Sequence, residues 1–108
     1  MDPYEKTASL LAALELQLHE QGLWQSEPPS EAALSSTLPF AVDMLTCAEW
    51  LQWIFLPNMY HVLSERLPLP TAFCIYPYVE EAARQEPGLD AVLPVISALD
   101  DWLGGANA

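Results

Sequence analysis

Two carboxylate–imidazole pairs are the sequence's best candidates for binding a metal ion. Glu15 precedes His19, and His61 precedes Glu65, each by four residues. Metal sites in helical bundles use Glu-x-x-His at a spacing of three, with further glutamates that project inward. Neither pair has that spacing, and both fall on the polar faces of predicted helices. We therefore expect solvated surface residues and no metal site.

Two cysteines are the candidate nucleophiles. Cys47 lies just inside a predicted helix N-terminus, where a thiol pKa can fall, but Glu49 opposes that shift and no histidine is placed as a base. Cys74 lies in an apolar run and is predicted to pack in the core; both thiols are expected to be reduced. The four glycines lie at predicted helix ends and form no phosphate-binding loop. The sequence thus predicts no catalytic residue, no cofactor and no enzyme.

The aromatic residues are the strongest anomaly. Trp50 and Trp53 share a face of an ideal helix, and a second aromatic cluster, Tyr76-Pro77-Tyr78, follows later in the chain. Buried indoles need an acceptor for their N–H group, so one interpretation places both tryptophans in the core. Tryptophan is also enriched at interaction hot spots, so the other interpretation places them on a groove or partner surface. Both interpretations stay open at the level of the sequence.

Composition excludes several classes of function. The 108 residues include 3 Lys and Arg against 15 Asp and Glu, a net charge of −12, and 52% are hydrophobic. So few cations argue against direct nucleic-acid binding and against a polybasic membrane patch. The apolar content argues against a disordered acidic tail. No signal peptide or membrane-spanning segment is predicted, so we expect a cytoplasmic protein.

The first half of the chain predicts one long helix followed by an irregular segment. Asp2 and Pro3 form a helix start, and an apolar stripe predicts a helix over 3–21 that stops at Gly22. Segment 23–45 is predicted to wrap across the fold, with a helical turn over 30–34.

The second half predicts three more helices. Thr46 and Glu49 form a capping box that begins a central helix over 46–66, apolar on all sides at first and kinked at Pro57. A helix over 77–85 is predicted to carry a Glu80–Arg84 ion pair, and a last helix to run from an Asp90 cap to a stop at Gly104. We expect an all-α fold, a compact four-helix bundle with a proline-kinked central helix, and a single domain over 1–108.

The run Glu49-Trp50-Leu51-Gln52-Trp53, with Pro57 four residues later, resembles the YqcC-like family of small bacterial proteins. Further matching residues between 36 and 82 are Ser36, Thr37, Pro39, Phe40, Asp43, Phe55, Met59, Pro68, Leu69, Pro70, Pro77, Tyr78 and Glu80. The resemblance implies a small helical protein without an established activity. It also implies a link to tRNA modification, because some members are encoded beside a tRNA pseudouridine synthase. Asn58 stands where a basic residue is expected, which removes one candidate anion contact.

These observations lead to two functional hypotheses. The first is a non-enzymatic accessory module that presents an acidic, aromatic surface to a basic protein, by resemblance a tRNA-modifying enzyme. The alternative is a small-molecule binder or minor enzyme with a pocket between helices 46–66 and 77–85. An all-round apolar helix is also compatible with a homodimer. The candidate binding residues are Glu49, Trp50, Gln52, Trp53, Pro57, Tyr78 and Glu80.

Overall fold

The computed structural model describes residues 2–34, 45–70 and 74–106, and this part of the chain is helical with irregular connections. Its α-helices are α1 (Pro3–Glu20), α2 (Glu31–Leu34), α3 (Cys47–Trp50), α4 (Leu56–Ser64), α5 (Tyr76–Ala83) and α6 (Leu93–Asp101). A π-helical turn (Leu51–Phe55) joins α3 to α4, a 3₁₀ turn (Leu89–Val92) leads into α6, and a second π-helical turn (Trp102–Ala106) follows it. The all-α prediction is confirmed.

Helix α1 forms as its sequence predicts. The Asp2 carboxylate accepts a hydrogen bond from the Tyr4 backbone N–H at 2.9 Å, and proline occupies the first helical position. The helix ends at Glu20, and Gly22 adopts a left-handed φ of +71°, which favours glycine. The predicted stripe supplies four buried side chains, namely Thr7, Leu11, Leu14 and Leu18.

The central helix, residues 47–64, begins at the predicted capping box. Thr46 accepts from the Glu49 N–H, and the Glu49 carboxylate accepts from the Thr46 N–H. The irregularity expected at Pro57 takes the form of a wide turn just upstream, where the Leu56 N–H bonds to the Leu51 carbonyl. A proline disrupts the hydrogen bond to the preceding turn, and a π-helical turn is one way to absorb that loss. The chain consequently stays helical through the proline.

The C-terminal half departs from several predictions. Asp90 lies inside the 3₁₀ turn and makes no side-chain cap; the left-handed Gly88, with φ of +88°, precedes it. Gly104 does not stop the last helix, because the chain continues in a π-helical turn and Leu103 is fully buried there. Arg84 pairs with Glu81 at 3.6 Å where a pair with Glu80 was predicted. Cys74, predicted to be core, is exposed, and Ile75 packs into the core beside it.

A large hydrophobic core joins the long elements of the described residues and gives a small helical bundle. Helix α1 packs against both α4 and α6, and α5 packs against α6. The predicted turn over 30–34 is present as α2. The part of segment 23–45 that carries residues 35–44, with five residues of the family resemblance, lies outside the described residues. The fully buried side chains include Leu11, Leu14, Leu18, Leu51, Leu56, Val79, Leu89, Val92, Ile96 and Leu99.

Among the helices of the described ranges, none combines the length and apolar character that crossing a membrane requires.

Candidate functional site

Gln52 is a polar side chain buried in an otherwise apolar helix, with 4% of its surface exposed. Its Oε1 accepts a hydrogen bond from the Gln25 backbone N–H at 2.8 Å. Its Nε2 donates to the Gln25 carbonyl at 2.7 Å. The amide thereby satisfies both backbone groups of one loop residue, which is how a buried polar group avoids a desolvation penalty. This pair of bonds fixes the loop after α1 onto the central helix.

The side chain of Gln25 is held by two further residues of the aromatic motif. Its Nε2 donates to Glu49 Oε2 at 3.2 Å, and its Oε1 accepts from the Trp53 indole N–H at 2.9 Å. Glu49, Gln52 and Trp53, which the sequence analysis predicted as binding residues, therefore converge on Gln25. The Trp53 N–H is satisfied inside the molecule.

A cleft of about 480 Å³ opens beside this clamp, between the central helix, α1 and residues 24–26. Trp24 forms one wall and stacks on His19 with ring centroids 4.4 Å apart. On α4, the Tyr60 hydroxyl donates to Glu15 Oε1 at 3.0 Å. The lining residues are Glu15, Trp24, Gln25, Ser26, Gln52, Trp53, Leu56, Pro57 and Tyr60. An aromatic cleft with a few fixed polar groups has the character of a binding site.

The cleft carries one charged group, the Glu15 carboxylate, and no Lys or Arg among the described residues that line it. Burial, the hydrogen bond to Glu15 and the Glu15 charge raise the pKa of Tyr60 from 10.0 to about 12. The phenol therefore stays protonated at neutral pH and keeps donating to the carboxylate. This arrangement favours a cationic or hydrogen-bond-donating ligand.

Trp50 and Trp53, predicted to share one face, contact different elements. The Trp50 ring stacks on Phe55 at 5.5 Å and meets Tyr78 of α5 edge-on at 5.8 Å. Trp53 donates its indole N–H to Gln25, which lies in the loop after α1. The wide turn between residues 51 and 55 changes the rotation between successive side chains, so the ideal helical wheel fails here.

The predicted small-molecule pocket between the central helix and α5 is only partly present. A crevice of about 480 Å³ separates Thr46 and Cys47 from α5, and Tyr78 lines it. Of the other residues predicted for that pocket, Glu49 and Gln52 bind Gln25. Glu80 is exposed on α5 and does not line the crevice.

The crevice holds Cys47, whose thiol is poorly suited to act as a nucleophile. Burial and the Glu86 charge raise its pKa from 9.0 to about 12, against a smaller lowering by a hydrogen bond with Tyr78. The Glu86 carboxylate accepts from the Cys47 N–H at 2.9 Å and from the Ala48 N–H at 3.2 Å, so it occupies the helix N-terminus. A helix N-terminus can lower a thiol pKa, but the pKa of Cys47 is raised here.

Six residues that line the cleft were not among the predicted binding residues, namely Glu15, Trp24, Gln25, Ser26, Leu56 and Tyr60. A glutamine in an apolar helix does signal that a polar partner must exist, but the partner lies 27 residues away in a loop. Among residues 2–34, 45–70 and 74–106, no three His, Cys, Asp or Glu side chains converge as a metal site would require.

Comparisons with known proteins relate most of the chain to one family. A family model described as tRNA pseudouridine synthase C matches residues 6–102. The uncharacterized protein YqcC of Escherichia coli is 36% identical over 101 residues, 93% of each chain. An uncharacterized protein of Haemophilus influenzae is 35% identical over 96 residues, 89% of this chain and 91% of that one.

A solved structure and a longer protein add to these matches. The solution NMR structure of YqcC from E. coli superposes with a TM-score of 0.82 at 34% identity, covering 97% of this chain and 91% of that one. A tRNA pseudouridine synthase C of Pectobacterium carotovorum subsp. carotovorum is 45% identical over 60 residues, 56% of this chain but 16% of that protein. The chain belongs to the YqcC-like family.

Proposed function

We propose that this protein is a non-enzymatic accessory module that binds tRNA pseudouridine synthase C. The observation that carries the proposal is the 60-residue match inside a protein of that name. That protein is about six times as long as the matched segment, so a YqcC-like segment there shares one polypeptide with a much longer remainder. Segments that work together in one chain are candidates to work together as separate chains.

The cleft beside Gln25 supports the proposal as the contact surface. Trp24, Trp53 and Tyr60 present aromatic area, and Pro57 adds a rigid apolar edge. Large aromatic side chains dominate the binding energy of protein interfaces. The clamp on Gln25 orders this surface before a partner arrives, which reduces the entropy lost on binding.

The charge of the chain supports a basic partner. An enzyme that acts on tRNA needs Lys and Arg to contact phosphates. A chain with net charge −12 is attracted to such a surface, and the attraction weakens as salt screens it. The proposed function includes a cytoplasmic location, because that is where a tRNA-modifying partner acts.

The test is to mix this chain with purified tRNA pseudouridine synthase C from the same organism and to measure binding by isothermal titration calorimetry at low and raised salt. We expect a complex that weakens with salt and fails to form with Tyr60→Ala. Leu67→Ala is a matched control, because Leu67 is 39% exposed and Tyr60 is 37% exposed.

Absence of a complex at every salt concentration would overturn the proposed partner. A second assay incubates this chain alone with unmodified tRNA and measures pseudouridine by mass spectrometry. We expect none to form, and conversion by this chain without the synthase would overturn the non-enzymatic role.

A further inference from the structure

Two cationic side chains of this protein lie against aromatic rings. The Arg66 guanidinium lies 4.5 Å from the centre of the Tyr4 ring and 3.4 Å from Asp2 Oδ2. The Lys6 ammonium lies 4.9 Å from the centre of the Trp102 ring. An aromatic face with a carboxylate beside it attracts a cation by both its quadrupole and its charge.

The cleft beside Gln25 offers the same two elements, and the described residues that line it include no Lys or Arg. Trp24, Trp53 and Tyr60 supply aromatic rings, and Glu15 supplies the carboxylate. The three cations of the chain make their described contacts elsewhere: Lys6 at Trp102, Arg66 at Tyr4 and Asp2, and Arg84 at Glu81.

We infer that the cleft receives an arginine side chain from a segment of the partner protein, with the guanidinium paired to Glu15 and packed against the aromatic wall. This inference rests on the proposed function, because it names the chemistry of the partner's contact. Arginine fits better than lysine, since its planar guanidinium stacks on aromatic rings and donates several hydrogen bonds in one plane.

The hydrogen bond from Tyr60 makes the carboxylate a fixed acceptor. It engages Glu15 Oε1 at 3.0 Å, and a carboxylate oxygen has further lone pairs for a second donor. Because Glu15 is half-buried, salt screens its attraction to a guanidinium less than it screens an ion pair in open solvent. A protein segment is favoured over a free cation because the cleft of about 480 Å³ also presents apolar surface for flanking residues.

The test uses the peptide acetyl-Gly-Leu-Arg-Leu-Gly-amide and its twin with citrulline, a neutral analogue, in place of arginine. Binding is followed by NMR through the indole N–H signals of the four tryptophans. We expect the arginine peptide to shift the Trp24 and Trp53 signals but not those of Trp50 and Trp102. The citrulline peptide should bind at least about fivefold more weakly, as expected for loss of a charge-assisted hydrogen bond.

Glu15→Gln should weaken arginine-peptide binding by a similar factor, because glutamine still accepts from Tyr60 but has no charge. Glu5→Gln is the matched control: it removes the same charge from the same helix, about 15 Å away along the axis. Equal binding of the two peptides, or equal effects of the two variants, would overturn the arginine site. Arginine amide alone binding as tightly as the peptide would overturn the protein-segment occupant.

Titrating the synthase with the same variants separates this inference from the proposed function. If the synthase binds wild type, Glu15→Gln and Glu5→Gln equally, the arginine site is wrong as the contact and the partner stands. If the synthase binds none of them while the arginine peptide binds selectively, the proposed partner is wrong and the cleft chemistry stands.

Discussion

The two tryptophans of the central helix lie three residues apart and serve different regions of the molecule. Trp50 packs against Phe55 and against Tyr78 of α5, where the contacts are ring against ring. Trp53 donates its N–H to Gln25 and lines an open cleft with Pro57. The side of the central helix that carries Trp50 therefore packs against the rest of the bundle through ring contacts. The side that carries Trp53 is held by hydrogen bonds and lines the surface cleft.

This difference explains what the motif Glu49-Trp50-Leu51-Gln52-Trp53 does. Leu51 and Trp50 serve the core and its edge. Glu49, Gln52 and Trp53 fix one loop residue, and that loop residue shapes the cleft. The choice between a core pair and an interface pair, which the sequence left open, resolves into one tryptophan packed on core rings and one lining the cleft.

Substituting each tryptophan in turn tests whether the two sides of the central helix differ. Trp50→Ala should lower the free energy of unfolding by about 3 kcal/mol, near the lower end for large aromatic truncations because the ring is only half-buried. Trp53→Phe keeps an aromatic ring and loses one hydrogen bond, so it should lower that free energy by about 1 kcal/mol. Urea unfolding followed by far-UV circular dichroism measures both.

We expect the two variants to affect binding to the synthase in the opposite order from their effects on stability. Trp50→Ala, measured under conditions where it is folded, should bind the synthase as wild type does, and Trp53→Phe should bind more weakly because Gln25 loses an anchor. Equal losses of binding and of stability for the two variants would mean that the two sides are not functionally distinct.

Removing the buried amide tests whether the clamp builds the cleft. Gln52→Ala deletes both hydrogen bonds to Gln25, and the freed backbone groups must find water instead, so we expect a loss of about 2 kcal/mol in unfolding free energy. Hydrogen exchange should become faster at the Gln25 amide. Gln85→Ala is the control, because Gln85 is exposed and its truncation should change stability by less than about 0.5 kcal/mol.

A smaller effect should follow from removing the cap on α3. Glu86→Ala frees the Cys47 and Ala48 amides, which should destabilise the protein by about 1 kcal/mol, a typical value for loss of a helix cap. Glu80→Ala, at an exposed site on α5, should have little effect. If the two variants were equally stable, the Glu86 bonds would contribute nothing beyond what water supplies.

The sequence predicted two caps that form within a few residues, although the local ion pair predicted between Glu80 and Arg84 is replaced by one between Glu81 and Arg84. The Asp2 cap and the box formed by Thr46 and Glu49 span two or three residues, and both are present. The clamp joins residues 27 apart, and the Glu86 cap joins residues 39 apart. Such contacts depend on how the helices pack, and the spacing of residues along the sequence does not predict them.

The same reason explains the failures near the C-terminus. Asp100 accepts from the Ile75 and Tyr76 amides at 3.0 and 2.8 Å and so caps α5 from another helix. Burial of Leu103 outweighs the tendency of Gly104 to end a helix. Tertiary contacts decide both outcomes.

High pH should lower the free energy of unfolding through Cys47, on the Trp50 side of the molecule. Burial and Glu86 raise the thiol pKa from 9.0 to about 12, so between these values the unfolded chain loses a proton that the folded chain keeps. Stability is therefore full below about pH 9 and falls as pH rises towards 12. Tyr60, with a pKa raised to about 12, adds a loss of the same sign on the Trp53 side.

Two cysteine variants separate these contributions. Cys47→Ala should reduce the fall in unfolding free energy between about pH 8 and about pH 11. Cys74→Ala, which removes the exposed cysteine, is the matched control. Comparing slopes removes the effect of the small cavity that Cys47→Ala creates, since that cavity shifts stability at every pH. An unchanged slope in Cys47→Ala would assign the alkaline loss to the tyrosines, and the two sides of the central helix would then differ in packing but not in their response to pH.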